Sequence, residues 1–457
     1  MTKEQRLQLL GQGPIPRALY LLSYPAVLGL FSGALYSLVD TFFIGLLGQT
    51  AAVGASAVVF PIFIVISALG LGFGIGAASS VSRLLGAQRE EDAQRVASTA
   101  FYSSLAAGLL LSVFGVIFID PILIFFGATE TILEHARVYG VLIIGGSVFR
   151  VLNMCMNNLI RSEGAASYSG RALILGSVLN MLLDPICMFL LGMGIRGAGA
   201  ATILAQAAAT LYLLRFYIKK EGVLTLSPRY FHPTLWIYRE LLRIGIPTFI
   251  RQSLVSFSIA LLNQAARSFG DASIAGVGIV TRLMAMIFMV NFGIGQGLQP
   301  LAGYNYGARN YRRVLASLKL AVGAATVYSS FIAVLFFLFA PHLIFVFSRD
   351  PEVISVGSRY LRISSLTVWM LGFQIVGSYL FQAIGKGRET AILAVSRQGF
   401  FFIPLVFLLP RQFGLNGLFF VQPGADFLAT LLTGVLVAAY VIPLKKQLNN
   451  TSEDAHE

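Results

Sequence analysis

The chain alternates long apolar runs with short polar or basic connections. Counted from the first residue, about twelve runs stand out, over residues 18–46, 51–83, 95–119, 138–161, 171–192, 198–218, 240–266, 273–304, 314–340, 356–384, 389–410 and 416–444. Each reaches the length of about 18 residues or more that an α-helix needs to cross the hydrocarbon layer of a bilayer. The pattern predicts an all-α polytopic membrane protein. Several runs exceed about 20 residues, which predicts tilt, kinks or ends that emerge into water. A few polar residues break the pattern at depth. Asp40 lies inside "YPAVLGLFSGALYSLVDTFFIG", and Asn180 and Asp184 lie inside "SVLNMLLDPICMF".

Composition agrees with this pattern. Of 457 residues, 56% are hydrophobic and only 12% are charged, too few to clothe a soluble protein of this size. The net charge of +13 is spread along the chain rather than gathered in a stripe, which argues against nucleic-acid binding. Lys and Arg concentrate in alternate connections, including Arg83, Arg89 and Arg95, then Lys219, Lys220 and Arg229, then Arg309, Arg312 and Arg313. By the positive-inside rule both termini are expected on the cytoplasmic side of a cell membrane, which requires an even number of crossings. The N-terminal "MTKEQRLQLLGQGPIPR" has no apolar core of the signal-peptide kind, so the first run is expected to stay as an anchor. Cys155 and Cys187 both fall within apolar runs and form no disulfide framework. His135, His232, His342 and His456 make no i, i+4 pair, so neither a metal site nor a cofactor is expected.

The second half of the chain repeats the first. "LLSYPAVLGL" from Leu21 answers "LLRIGIPTFI" from Leu241, "GFGIGAASS" from Gly72 answers "NFGIGQGLQ" from Asn291, and "GMGIRGAGAA" from Gly192 answers "QFGLNGLFF" from Gln412. Three further pairs keep the same order at an offset near 220 residues. With six crossings per half, the two copies have the same orientation and form two lobes related by an axis along the membrane normal. The expected organisation is a first lobe over 1–218, a cytoplasmic linker over 219–239 and a second lobe over 240–457. Two parallel lobes around a cleft suit alternating access by rocking, the mode of many transporters. Gly70, Gly72, Gly74 and Gly76 form small-xxx-small pairs that let helices approach closely; no strand precedes them, so a nucleotide loop is rejected.

An acid at membrane depth costs roughly 2.5–3.5 kcal/mol on insertion scales, so it is a functional candidate by default. Asp40 sits one or two turns inside its run, too far from Gln49 to cap the following turn. Asp184 shares a helix face with Asn180, and Pro185 removes the donor that would satisfy the carbonyl of Met181. The competing reading of Asp184 is a locally satisfied acid at a static kink. Neither acid has an acidic counterpart in the second half, where Leu262 and the neighbourhood of Leu405 take their places. Titratable chemistry is therefore expected in the first lobe, with the two acids brought together. Pro25 frees the carbonyl of Leu21 and is a candidate hinge, and Pro247 is its counterpart. Arg150, Arg282, Gln206, Asn263, Gln264, Gln374 and Asp426 are further polar residues in or near the runs, some expected to line the cleft.

The two six-span halves, "YPAVLG…YSLVDTFFIG…LGQTAAVGAS", the glycine turn at Gly194–Ala201 and "SVLNMLLDPI" together resemble the multidrug and toxic compound extrusion (MATE) family, and within it the DinF-like prokaryotic branch, over residues 15–445. The resemblance implies an antiporter in the cytoplasmic membrane that expels organic cations and other amphipathic drugs, driven by inward flow of protons or sodium, and acting as a monomer rather than as an enzyme. By the same resemblance Asp40 is the coupling acid and Asn180 and Asp184 are the amide–acid pair of the fifth span. Thr202 completes that cluster, Tyr139 opens the fourth span toward it, and Pro25 bends on protonation. The sodium-driven branch carries a glutamate on its seventh span where this chain has Asn263 and Gln264, and its tenth-span aspartate is also missing, so protons are favoured. Asp40, Asn180, Asp184 and Thr202 still offer oxygens to sodium, the alternative coupling ion. A flippase for lipid-linked precursors shares the two-lobed plan but brings extra spans and a cleft lined by arginines.

Overall fold

The computed structural model describes residues 1–453. A short helix, α1 (Lys3–Gly11), lies ahead of the membrane helices. The first lobe contains α2 (Ile15–Leu46), α3 (Thr50–Gly86), α4 (Glu90–Ile117), the short α5 (Ile119–Phe125), α6 (Glu130–Gly145), α7 (Ser147–Ser162), α8 (Ala166–Pro185) and α9 (Ile195–Ile218). The second contains α10 (Leu235–Arg267), α11 (Asp271–Gly307), α12 (Tyr311–Phe345), α13 (Pro351–Ala383), α14 (Gly387–Val395) and α15 (Phe402–Glu453). Among the described residues there is no β-strand. Helices α6 and α7 meet at a 43° bend and make one crossing. The long Gly387–Lys445 segment makes two, because the chain turns at Gly414. Twelve crossings result, as the apolar pattern predicts.

The backbone carries the repeat as clearly as the sequence does. Gly194 (φ 56°, ψ −135°) and Gly414 (φ 60°, ψ −140°), 220 residues apart, turn the chain in the same way before the sixth and twelfth crossings. That conformation is open to glycine and strained for other residues. Gln88 and Arg309 also share a left-handed φ of 58° at a spacing of 221. The fifth and eleventh crossings both contain a wider π-helical turn, at Ile186–Leu190 and Ser396–Phe401. In the fifth it follows Pro185, whose missing N–H cannot sustain regular α-helical bonding.

The lobes meet crosswise, α2 against α11 and α10 against α3. The closest approaches are between backbones. A Cβ on Gly86 would stand 1.8 Å from the carbonyl oxygen of Tyr304, and one on Gly307 would stand 1.8 Å from that of Arg83. Gly86 and Gly307 are repeat partners, as are Arg83 and Tyr304, so the two contacts exchange under the pseudo-twofold. The glycine pairs of α3 divide their work: Gly70 and Gly74 pack on α7 within the lobe, while Gly72 and Gly76 pack on Gly245 and Leu241 of the other lobe. Arg83 and Glu240 add an ion pair across the seam at 2.7 Å. The Gly86, Gly307 and Arg83–Glu240 contacts lie at the end that carries α1 and the linker. Toward the opposite turns Gly33, Gly45 and Gly278 meet no neighbouring atoms.

Helix α1 ties this closed end together. Arg6 donates to the carbonyl of Glu221 in the linker and lies over the Phe216 ring. On the other side Asn305 donates to the carbonyl of Leu10 at 2.8 Å, and Arg313 donates to those of Leu9, Leu10 and Gly13. Glu163, fully buried between α7 and α8, accepts from the backbone N–H of Val223 at 2.5 Å and of Leu224 at 3.1 Å, fixing the linker to the first lobe. Burial pushes its carboxyl up to about 7, against the pull of those two N–H groups and of Arg6.

Candidate functional site

The sequence-predicted polar residues of the first lobe converge. On α8, Asn180 and Asp184 stand one turn apart, and the Asn180 amide donates to Asp184 Oδ1 at 3.3 Å and to Thr202 Oγ1 of α9 at 3.4 Å. Asp184 is fully buried, and Asn180, Thr202 and Tyr139 are nearly so. Asp40 on α2 lies within electrostatic range of Asp184, and Tyr139 within range of both acids. Three oxygens in this cluster, Asp40 Oδ1, Asn180 Oδ1 and Asp184 Oδ2, are buried without a protein donor. A buried acceptor left unpaired costs roughly 1–3 kcal/mol, so the cluster has affinity for whatever supplies a proton or positive charge. Asp40, Asp184, Tyr139, Asn180 and Thr202 are thus brought together.

Pro25 lies lower on α2 and packs elsewhere. The helix runs unbroken through it, and its ring and carbonyl press on Gly170 of α8, where a Cβ would come within 2.7 Å of both. Any change of α2 at this proline is therefore felt by the helix that carries Asn180 and Asp184.

Two residues join the site that the sequence reading did not assign to it. Tyr36 stands one helical turn before Asp40 and within electrostatic range of Asp40, Asp184 and Arg150. The i, i+4 spacing from Asp40 was the available signal. Arg150, left unsorted among polar residues, donates to Ser67 Oγ at 2.9 Å and lies 4.4 Å over the Phe63 ring. Arg282, Asn263 and Gln264 are exposed, away from any buried cluster.

The second lobe holds a separate cavity of about 400 Å³, among α10, α11, α13, the Ser396–Phe401 turn and α15. Asp426 is buried there as half of an ion pair. Arg397 Nε donates to its Oδ1 at 2.6 Å and Gln422 Nε2 to the same oxygen at 2.9 Å. Arg397 also lies 4.6 Å over the Phe288 ring. Gln374 and Asp426, two of the unsorted polar residues, line this cavity; Arg397 escaped notice because it sits on the π-helical turn, where helical periodicity fails.

Twelve crossings in two crosswise lobes, with a buried polar cluster between the fifth and sixth, define a two-lobed secondary transporter fold. The MatE family profile matches the chain twice, over residues 25–186 and 247–408, and the chain belongs to that family. The paired match repeats the internal duplication. The multidrug export protein MepA of Staphylococcus aureus (strain MSSA476) is 27% identical over 437 residues, covering 95% of this chain and 96% of its own. Among solved structures, an outward-facing multidrug resistance MATE family transporter of the MOP superfamily superposes with a TM-score of 0.90 at 26% identity, over 96% of this chain and 98% of that one. A crystal structure of MATE in the bent conformation gives 0.91 at 26% identity, over 97% and 98%.

Proposed function

We propose that this chain is a multidrug efflux antiporter, of the DinF-like kind, that exports cationic and amphipathic organic compounds in exchange for protons. The observation that carries the reading is the first-lobe cluster, where two acids lie together with three buried oxygens that no protein group satisfies. Export of drugs by MepA, and by the multidrug resistance transporter of the same fold, supports the cargo class. In this reading the lobes span 1–218 and 240–457 with the linker 219–239 between them, and the two profile matches over 25–186 and 247–408 support a two-lobe plan. With both termini cytoplasmic, the closed seam faces the cytoplasm.

In the proposed cycle cargo occupies the cleft while Asp40 is ionised. A proton arriving from outside neutralises Asp40, α2 rearranges about Pro25 against Gly170, and the cleft contracts and releases cargo outward. Asn180, also bonded to Thr202, donates to Asp184, and in this cycle the incoming proton is shared between Asp184 and Asp40. Inward movement of one charge across about 100 mV supplies roughly 2.3 kcal/mol, about fiftyfold in export of a neutral compound. Sodium is the competing coupling ion, since the same oxygens suit a hard cation. The deciding measurement is efflux of a fluorescent cationic drug from proteoliposomes. An imposed pH gradient alone is expected to drive it, and export driven by sodium alone overturns the proton assignment.

A further inference from the structure

The second-lobe cavity is not a copy of the first-lobe site, and its charge has the opposite sign. Asp426, its one acidic wall residue, is 4% exposed and already engaged by Arg397 and Gln422 on a single oxygen. Arg251 of α10 lines the same cavity and, among the described residues, has neither an ion-pair nor a hydrogen-bond partner; its guanidinium lies 5.8 Å over the Phe292 ring. The cavity therefore carries one uncompensated positive charge. Arg251 is half-buried, and an unpaired guanidinium facing an apolar cavity favours an anion to which it can donate charge-assisted hydrogen bonds. A guanidinium seated on an aromatic face keeps its edge donors free for a carboxylate, which it binds in a two-pronged geometry.

The remaining walls say what the anion is attached to. Phe288 and Phe292 stack at 6.0 Å, and Met284 and Met289 lie beside them, a surface suited to a flat or flexible apolar body. Gln374 and Gln398, each 7% exposed, point side-chain oxygens into the protein without a donor. An N–H or O–H on the ligand would satisfy them.

We infer that this cavity is a binding site for amphipathic organic anions, with Arg251 as the residue that selects for the negative head group. A cation has no free acid to meet there. The site goes beyond the proton-antiport reading and does not depend on it. Equilibrium binding without any gradient reads this site, whereas gradient-driven efflux reads the antiport cycle, so either can fail alone.

The test uses the full-length protein in lipid nanodiscs and three probes that share one body: 2-naphthylacetate, 2-naphthylacetamide and 2-(2-naphthyl)ethylamine. The acetate is expected to bind at least about tenfold more tightly than the amine, the size of one charge-assisted contact. Arg251→Gln is expected to weaken acetate binding by about tenfold or more while acetamide binding persists, and Arg251→Lys to recover part of it. Persistence of acetamide binding also reports that the variant is folded. The head-group comparison on the unaltered protein needs no variant at all. The inference is overturned if the amine binds as tightly as the acetate, or if Arg251→Gln binds the acetate unchanged.

Discussion

The two lobes have the same backbone and opposite polar contents. In the first, the groups between the fifth and sixth crossings are Asn180, Asp184 and Thr202, facing Asp40 and short of donors. In the second, the corresponding crossings supply Arg397, Gln422 and Asp426, and the acid is saturated by its neighbours. Thr202 and Gln422 are repeat partners at a spacing of 220, as are Gln206 and Asp426. The duplication thus conserved a place for polar groups while the charge diverged. One lobe keeps acids with oxygens that no protein group satisfies, and the other keeps an acid held in an ion pair. A pair already engaged must break to exchange a proton, so the proposed coupling role is assigned to the lobe with the unsatisfied oxygens.

The contrast can be broken most sharply at Asp40. Asp40→Asn is expected to reduce gradient-driven export to background in proteoliposomes, because no other group on α2 can take up the proton; normal export would remove the coupling role. The next effect separates the acids by stability. Arg397→Gln leaves Asp426 buried without its partner and is expected to destabilise the protein by about 3–5 kcal/mol, read as a large fall in melting temperature in detergent. Asp184→Asn removes an under-satisfied buried acid and should keep or raise that temperature while export is lost. Similar losses of stability from both would show that the lobes do not differ in this way. A smaller cost is expected where the lobes are alike. Gly86→Ala and Gly307→Ala should each destabilise the closed seam by about 1–3 kcal/mol of overpacking, to similar extents, and accessibility of cysteines introduced at that end should rise in both. A pH-dependent effect lies at Glu163. Its carboxyl, raised by burial from 4.5 to about 7, favours the protonated form in the folded protein. Its contribution to stability is therefore full below pH 4.5 and lost as pH rises through 7. Melting temperature is expected to fall slightly between pH 5 and pH 8, and Glu163→Gln to flatten that slope.

Much of this was legible in the sequence, for reasons that differ by feature. The crossings follow from run length, since nothing but an apolar helix satisfies its backbone in lipid. The repeat is visible because the glycines that mark it, such as Gly194 and Gly414, serve a backbone conformation that cannot drift. Asn180 and Asp184 stand out by spacing beside a proline. Tyr139 and Thr202, in contrast, came only through family resemblance, because a tyrosine or threonine in an apolar run is unremarkable. Tyr36 had a spacing signal that a tyrosine's amphipathic character concealed. Arg251 was not singled out, because which crossings enclose a common cavity is set by tertiary packing rather than by any period along the chain, and Arg397 was hidden by its π-helical turn. Arg282, charged like them, proves to be exposed.

The closed seam, in which Gly86 and Gly307 rest on opposing carbonyls, has a kinetic consequence. Where main chain touches main chain there is no rotamer to swing aside and no local door to unlatch. Both contacts must release at once, as the shells on either side separate. Passage between the two orientations should accordingly appear in single-molecule distance records as abrupt jumps between two levels, with no graded breathing between them.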